Sequence, residues 1–400
     1  MRLYKKKSIK LLILAKQIDG GTGTFINHLV ELKKYRLSKL DISVLVLERQ
    51  KYRSSDIPLT KFKFYYTKSS YPQYYYFNLK NVSMIIEELF WVRSQIKKLR
   101  PCVIISIDTH CNLIICFLKI FFDEQYKIIL TFHNNISAVV DNKLSFIFKH
   151  IIIITGFFFF WFADVIVGVS NGVSQNISRF FGLKNDVKTI HYGVKIEKSR
   201  LTVKSSDVAF YKFGLEEKVI ISIGRFENQK DFKTLIRAFN IVRQKIRSVQ
   251  LLLIGDGADR QKLERLVQYH GIQDSVIFLG WQENIYSYLN YSNIFILSSF
   301  YEGLPYVLLE AISQGLPVIS TDAPFGPREI LDNGKYGILV PMKDEKAMAE
   351  AMYTLLTDKK KYNYYSKKSL ERVKFFTLDK MLDSYKKIIL DLAKKQSNFF

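Results

Sequence analysis

Two glutamates, Glu302 and Glu310, stand eight residues apart. Gly303, Leu304 and Pro305 follow the first, and the apolar run Tyr306, Val307, Leu308, Leu309 leads to the second. The short apolar stretch at 293–298 (NIFILS) reads as a buried parallel strand. Pro305 suits a first helical position, where its missing N–H costs nothing. The local pattern is therefore strand, tight loop, helix. Glu302 falls in the loop at the carboxyl end of the strand, and Glu310 about one and a half turns into the helix. Ligands of open α/β sheets bind at that strand end, and a helix N-terminus favours phosphate through its free N–H groups and partial positive charge. Carboxylates do not bind phosphate; they accept from hydroxyls. An anion site flanked by carboxylates points to a sugar joined to a nucleotide diphosphate.

Further candidates lie at other strand ends. Gly224-Arg225-Phe226 follows the strand at 219–223 (VIISI), with Lys230 five residues beyond Arg225. Arginine offers a planar fork for phosphate oxygens and lysine a mobile point charge, so the pair suits a diphosphate better than a solvated surface. Gly255-Asp256-Gly257 follows the strand at 250–254; a plain turn and a turn beside the nucleotide are equal readings of it. Gly20-Gly21-Thr22-Gly23 lies between the first strand and its helix, where glycine backbone can approach a phosphate or sugar closely. His133, followed by Asn134 and Asn135, ends the strand at 127–132. It could donate to a sugar hydroxyl or to developing charge, or simply pack. Asp108, His110 and His191 also end strands, without a specific role.

A rival pattern is present. Gly21-x-Gly23-x-x-Ile26, with Glu48 ending the second strand, half-resembles a dinucleotide-binding fingerprint. Ile26 replaces its third glycine, and Lys230, Glu302 and Glu310 would then be idle. There is no Asp-x-Asp pair, metal-ligand cluster, Walker loop or G-x-S-x-G elbow. Arg225, Lys230 and helix N-termini are thus expected to neutralise a leaving diphosphate without a metal.

The elements that must position these residues alternate. Strands are expected at 8–15, 42–47, 103–107, 127–132, 164–169 and 187–191, then at 219–223, 250–254, 275–279, 293–297 and 317–320. Helices fall between them, including 24–34, 232–245 and 259–270. Such alternation predicts parallel sheets with helices on both faces. The expectation is α/β: two doubly wound, Rossmann-like domains facing across a cleft. The first spans 1–197 and binds the acceptor, and the second spans 208–377 and binds the nucleotide sugar. A polar, apolar-poor junction at 197–207 separates them. An amphipathic helix at 378–395 carries Met381, Leu382, Tyr385, Ile388, Ile389 and Leu392 at helical spacing, and 378–400 is expected to pack back on the first domain.

Composition limits the partners. The chain has 400 residues, is 48% hydrophobic and carries a net charge of +23. Residues 1–200 hold 31 Lys and Arg against 14 Asp and Glu, and the remainder 29 against 23. A basic half suits an anionic membrane leaflet, and no nucleic-acid-binding pattern accompanies it. Cys102, Cys111 and Cys116 form no C-x-x-C pair and read as reduced core residues of a cytoplasmic protein. The start, MRLYKKKSIKLLILAKQ, is a first strand rather than a signal peptide, because its apolar core is short and ends at Lys16. Residues 144–162 (LSFIFKHIIIITGFFFFWF) approach the length of a spanning helix, yet a span would cut an α/β domain in half. A buried or interfacial helix is the better reading, and with the aromatic, basic segment 61–77 it could rest on the membrane.

These residues resemble glycosyltransferase family 4, retaining enzymes of the GT-B fold, over nearly the whole chain. The likeness rests on Glu302-x7-Glu310 with Gly315-Leu316-Pro317-Val318-Ile319, on Gly20-Gly21-Thr22, His133 and Ser170, and on Gly224-Arg225 with Lys230 and Gly337-x-Leu339-Val340. It implies that Arg225 and Lys230 bind the donor diphosphate, Glu302 the donor sugar and Glu310 the ribose. Gly303 and Leu304, with Pro305 closing the loop, would offer backbone N–H, while Gly21 and His133 face the reacting sugar. Gly326-Pro327-Arg328-Glu329-Ile330 looks like the subgroup of bacterial N-acetylgalactosaminyl and hexosyl transferases of capsule and lipopolysaccharide assembly, which implies UDP-sugar as co-substrate, no cofactor, and a lipid-linked acceptor at the inner face of the cytoplasmic membrane. Tyr192-Gly193-Val194 departs from the family's usual Asn-Gly. A sugar-nucleotide epimerase or hydrolase of the same fold is the alternative enzyme, and a basic polyanion-binding module the non-enzymatic one.

Overall fold

Among the described residues thirteen short strands carry the framework, and most are predominantly apolar. Val103–Ile107 and Val249–Ile254 are buried at every position. A strand apolar on both faces can be stable only when both faces are covered, which is the condition of a parallel sheet layered between helices. A computed structural model describes residues 8–18, 20–34, 40–48, 63–66, 79–122, 124–138, 146–183, 187–196 and 218–397. The expected junction at 197–207 lies outside these residues, as do most of 61–77 and residues 144–145.

The chain divides into two compact units. Unit 1 comprises Met1–Tyr192 with Asp379–Phe400, and unit 2 comprises Gly193–Leu378. Unit 1 contains β1 (Ile9–Ala15), β2 (Leu40–Val46), β3 (Lys63–Tyr66), β4 (Val103–Ile107), β5 (Lys127–Phe132), β6 (Val165–Gly168) and β7 (Lys188–Thr189). They form one sheet in the order β3-β2-β1-β4-β5-β6-β7. Every pair is parallel; Ile9 faces Leu40 and Ile13 faces Ile105. Its helices are α1 (Gly20–Val30), α2 (Leu79–Leu99), α3 (Asp108–Phe122), α4 (Phe146–Phe160) and α5 (Asn171–Phe180). The last helix of the chain, Leu378–Ser397, carries Tyr385 against Phe25 of α1 (centroids 5.6 Å apart), and Gln396 donates to the carbonyl of Gln125.

Unit 2 repeats the plan with β8 (Lys218–Ile223), β9 (Val249–Ile254), β10 (Val276–Gly280), β11 (Ile294–Leu297), β12 (Val318–Thr321) and β13 (Ile338–Val340), in the order β10-β9-β8-β11-β12-β13. In each sheet the order reverses next to the first strand of its unit, and at such switch points two neighbouring loops part to leave room for a ligand. In unit 2 that point lies between β8 and β11. Helices α6 (Phe232–Lys245), α7 (Arg260–Tyr269), α8 (Ile285–Tyr291), α9 (Tyr306–Ser313), α10 (Gly326–Ile330), α11 (Glu345–Thr357) and α12 (Lys359–Arg372) flank the sheet. Ile220, Phe239, Leu251, Ile296 and Met352 are among the buried side chains of one apolar core that joins the strands to α6, α7 and α11.

Two expectations need correction. The first helix begins at Gly20 rather than Thr24, so the glycines form its opening turn instead of a loop before it. Gly20 adopts φ +49°, and Thr24 Oγ1 donates to its carbonyl across that turn. Strands β3 and β13 were not anticipated as strands. Each is an edge strand of three or four residues, held by one neighbour and too short to show a period.

Candidate active site

The chemistry-bearing residues of unit 2 gather on three loops at the carboxyl ends of β8, β9 and β11. After β8 the chain runs through Gly224, Arg225 and a single 3-10 turn, Asn228–Lys230. Asp231 then adopts φ +42° and caps α6, where its carboxylate accepts from the Thr234 hydroxyl (2.6 Å) and backbone N–H (3.4 Å). That sharp reversal returns Lys230 over the strand end. Its Nζ donates to Glu302 Oε1 at 2.6 Å, and Ser299 Oγ donates to the same oxygen at 2.6 Å. Lys230 and Glu302 are both largely buried. Glu302 Oε2 accepts no hydrogen bond from the described residues, which leaves one carboxylate oxygen for a hydroxyl.

The loops around this pair are stitched together. Ser298 Oγ donates to the Lys230 carbonyl (2.6 Å), and Gln229 Nε2 donates to the Tyr301 carbonyl (2.9 Å). Phe300 N–H donates to the Gln229 carbonyl, and Thr321 Oγ1 of β12 donates to the Ser299 carbonyl. The β9 loop is fixed by close approach. Gly255, at φ +132°, sits so near β8 that a Cβ there would lie 2.0 Å from the Gly224 carbonyl oxygen. Only glycine meets both conditions. Gly255 is thus the point where two site loops touch, beyond what a plain turn requires. Arg225 is exposed and lies 3.5 Å from Glu227 Oε1, so its guanidinium is held loosely and can reorient.

Gly303, Leu304 and Pro305 lead into α9, whose first turn has no side-chain cap. Behind them stands Gly326, where a Cβ would meet the Gly303 carbonyl oxygen at 2.6 Å and Pro305 Cδ at 2.7 Å. Arg328, two residues further on, donates through Nε and Nη2 to both oxygens of Asp322, and Arg372 donates to the carbonyls of Glu329 and Ile330. α10 is therefore braced against the loop that presents the α9 N-terminus. Glu310 lies on α9, buried, and none of the described residues hydrogen-bonds its carboxylate. Burial without a partner pushes its pKa up to about 7.

In unit 1, α1 opens at its N-terminus with Gly20 and Gly21 exposed. His133 is buried, with Nε2 2.8 Å from Thr131 Oγ1 and Nδ1 bonded to the Tyr192 hydroxyl. Both ring nitrogens are therefore engaged, and burial lowers its pKa to about 3. Asp108 starts α3, and His110 pairs with buried Glu88 at 2.9 Å. Sequence reasoning did not single out Ser298, Ser299, Gln229, Asp231 or Thr321. Of these only Asp231 left a local trace, as Asp-x-x-Thr before an apolar run, a helix-cap pattern. Ser298, Gln229 and Thr321 bond to backbone carbonyls distant in sequence, while Ser299 bonds to the Glu302 carboxylate three residues on.

Comparison with known proteins follows the same division of the chain. Residues 20–198 match Glycosyltransferase Family 4, and residues 203–372 match Glycosyl transferases group 1. The chain is 31% identical over 341 residues to an uncharacterized glycosyltransferase of Methanocaldococcus jannaschii, covering 76% of this chain and 83% of that protein. It is 28% identical over 215 residues to N-acetylgalactosamine-N,N'-diacetylbacillosaminyl-diphospho-undecaprenol 4-alpha-N-acetylgalactosaminyltransferase of Campylobacter jejuni, covering 54% of this chain and 56% of that protein. In structure it is similar to HepE of Anabaena, solved in complex with UDP. The TM-score is 0.75 at 16% identity, over 96% of this chain and 100% of that one.

The buried state of Glu310 has a thermodynamic consequence. The unfolded carboxyl ionises near its ordinary value of 4.5 and the folded one near 7, so between these values the folded state holds more protons. Stability should therefore fall as pH rises from about 4.5 to 7 and level off above, by roughly 3 kcal/mol for a shift of this size. Glu310→Gln should melt several degrees above the parent at pH 8 and close to it at pH 5, read by calorimetry. Equal differences at both pH values would contradict the assignment.

Proposed function

This chain is a family 4 glycosyltransferase of the GT-B fold, and we propose that it moves a hexose or N-acetylhexosamine from a UDP-sugar to a lipid-linked glycan acceptor of surface polysaccharide or lipopolysaccharide assembly. The observation that carries this reading is the Lys230–Glu302 pair, with Glu302 Oε2 open beside the uncapped first turn of α9. A diphosphate at that helix end would meet Lys230, backbone N–H groups and the mobile Arg225. Glu302 Oε2 would accept from a hydroxyl of the transferred sugar, and Glu310, protonated or ionised near neutral pH, from or to a ribose hydroxyl. The diphospho-undecaprenol acceptor of the Campylobacter transferase and the UDP bound in the Anabaena structure support the acceptor and the nucleotide.

In this reaction the bond from the anomeric carbon to the diphosphate oxygen breaks, and a bond from the acceptor hydroxyl oxygen forms on the same face. The acceptor's proton passes to the departing diphosphate oxygen. Attack on the face the diphosphate leaves retains the stereochemistry without a protein nucleophile. Lys230 and Arg225 stabilise the negative charge that develops on the leaving group. They do so in place of a divalent cation, and the chain needs no cofactor beyond its co-substrate. The family resemblance would have His133 serve the reacting sugar.

Incubation with UDP-, GDP- and ADP-sugars in EDTA, with nucleotide release as readout, tests this. Release from one UDP-sugar is expected, falling at least a hundredfold in Lys230→Ala and in Glu302→Ala. Turnover left intact by both substitutions would refute the site. Isomerised nucleotide sugar as product would replace a transferase with an epimerase.

The acceptor side carries a second feature of the same reading. Phe121 of α3 and Phe158, Trp161 and Phe162 at the end of α4 are each at least half exposed. Phe117, Phe121 and Phe159 pack as one ring cluster between the two helices. Among the described residues no helix is long and apolar enough to cross a membrane. An exposed aromatic face on the basic half suits peripheral docking on an anionic leaflet, where the rings enter the headgroup layer. Sedimentation with vesicles should show salt-sensitive binding to phosphatidylglycerol-containing vesicles, at least tenfold weaker in a Phe158→Glu, Trp161→Glu double variant. Equal binding to neutral vesicles at every salt concentration would remove the docking reading.

A further inference from the structure

The hydrogen-bond directions around His133 can be assigned without seeing a proton. Thr131 Oγ1 lies 2.9 Å from the Ser106 carbonyl oxygen, which can only accept, so the hydroxyl's single hydrogen is spent there. Its 2.8 Å contact with His133 Nε2 must then have the imidazole donating. A neutral ring carries one N–H, so Nδ1 holds a lone pair and accepts from the Tyr192 hydroxyl. Phe25 stands edge-on to the imidazole at 4.7 Å, and Tyr192 stacks on it at 5.6 Å. No charged group of these elements faces the ring; Phe25, Thr131 and Tyr192 enclose it, and desolvation alone keeps it neutral through the physiological range.

Tyr192 is also the last residue of unit 1. The chain enters unit 2 at Gly193 and leaves it after Leu378. The outgoing and returning segments lie side by side, since Val194 N–H donates to the Phe376 carbonyl at 2.9 Å and Leu378 N–H to the Val194 carbonyl at 3.0 Å. A Cβ on Gly193 would fall 2.4 Å from the Thr377 carbonyl oxygen. The backbone that carries Tyr192 is thus gripped immediately beyond it.

We propose that Tyr192 is a positioning residue for His133: its hydroxyl donates to Nδ1 and, with Thr131 at Nε2, holds the imidazole in one orientation from both nitrogens. This rests on the reading of His133 as a residue that serves the reacting sugar. It also gives a use to the tyrosine that stands where an Asn-Gly turn was expected.

The test is Tyr192→Phe in the full chain, which keeps the ring and removes only the hydroxyl. Nitrogen NMR of the imidazoles, with His133→Gln to identify the signal, reads the tautomer directly and needs no sugar nucleotide. In the parent, His133 should show a protonated Nε2 and a hydrogen-bonded Nδ1. In Tyr192→Phe the Nδ1 signal should move to the position of an unbonded ring nitrogen. In donor turnover, kcat should fall about tenfold with donor KM within twofold, since the diphosphate-binding residues lie in unit 2. An unchanged Nδ1 signal overturns the proposal whatever the turnover. A shifted signal with kcat and KM both unaltered overturns the positioning role. A parent that turns over no nucleotide sugar would defeat the functional reading instead, and the NMR result would still decide whether Tyr192 holds the ring.

Discussion

The buried pair of Lys230 and Glu302 is the constraint on which the candidate site of unit 2 depends. A lysine and a glutamate taken from water lose several kcal/mol of hydration each, and their attraction offsets this only when the geometry is held and further hydrogen bonds are made. Unit 2 supplies both conditions. Asp231, in a left-handed conformation, turns the chain so that Lys230 reaches the β11 loop, and Ser299 adds a second donor to the same carboxylate oxygen. Hydrogen bonds from Ser298, Gln229 and Thr321 then lock the two loops to each other. The pair leaves one carboxylate oxygen and the unused ammonium protons turned to whatever enters. A site charged in both signs before its ligand arrives needs little rearrangement to bind one that carries phosphate and hydroxyl together.

Position in the fold explains why such a pair occurs here. Parallel sheets direct every strand's carboxyl end to the same side, and the reversal between β8 and β11 parts the two loops that carry Lys230 and Glu302. Close approaches complete the arrangement: Gly255 brings the β9 loop onto Gly224, and Gly326 brings α10 onto the Gly303–Pro305 loop. A side chain at either place would push a site loop away from the strand end. Glu310 shows the cost of such construction. It is held without a partner in apolar surroundings, an arrangement that favours its neutral form and gives up stability at neutral pH.

Much of this was legible in the sequence because both sheets are built from continuous apolar runs. VIISI occurs at 103–107 and again at 219–223, and both stretches are central strands next to β1 or within β8. Lys230, Glu302 and Glu310 were legible because strand ends followed by glycine or proline and charge are uncommon outside sites. What escaped was non-local. Nothing near Ser298 says that its hydroxyl holds the Lys230 carbonyl, and nothing near His133 says that Tyr192, fifty-nine residues on, binds its ring. The start of α1 escaped for a different reason: three glycines in four residues read as a loop by propensity, while the fold uses them as a first turn.

The measurement that bears most directly on the donor site is calorimetric titration of UDP and of the hydrolysed UDP-sugar into the parent, Lys230→Met and Glu302→Gln. If Lys230 meets the diphosphate and Glu302 the sugar, Lys230→Met weakens both ligands at least tenfold, while Glu302→Gln weakens the UDP-sugar and leaves UDP within about twofold. Equal affinity of all three proteins for both ligands would contradict the account.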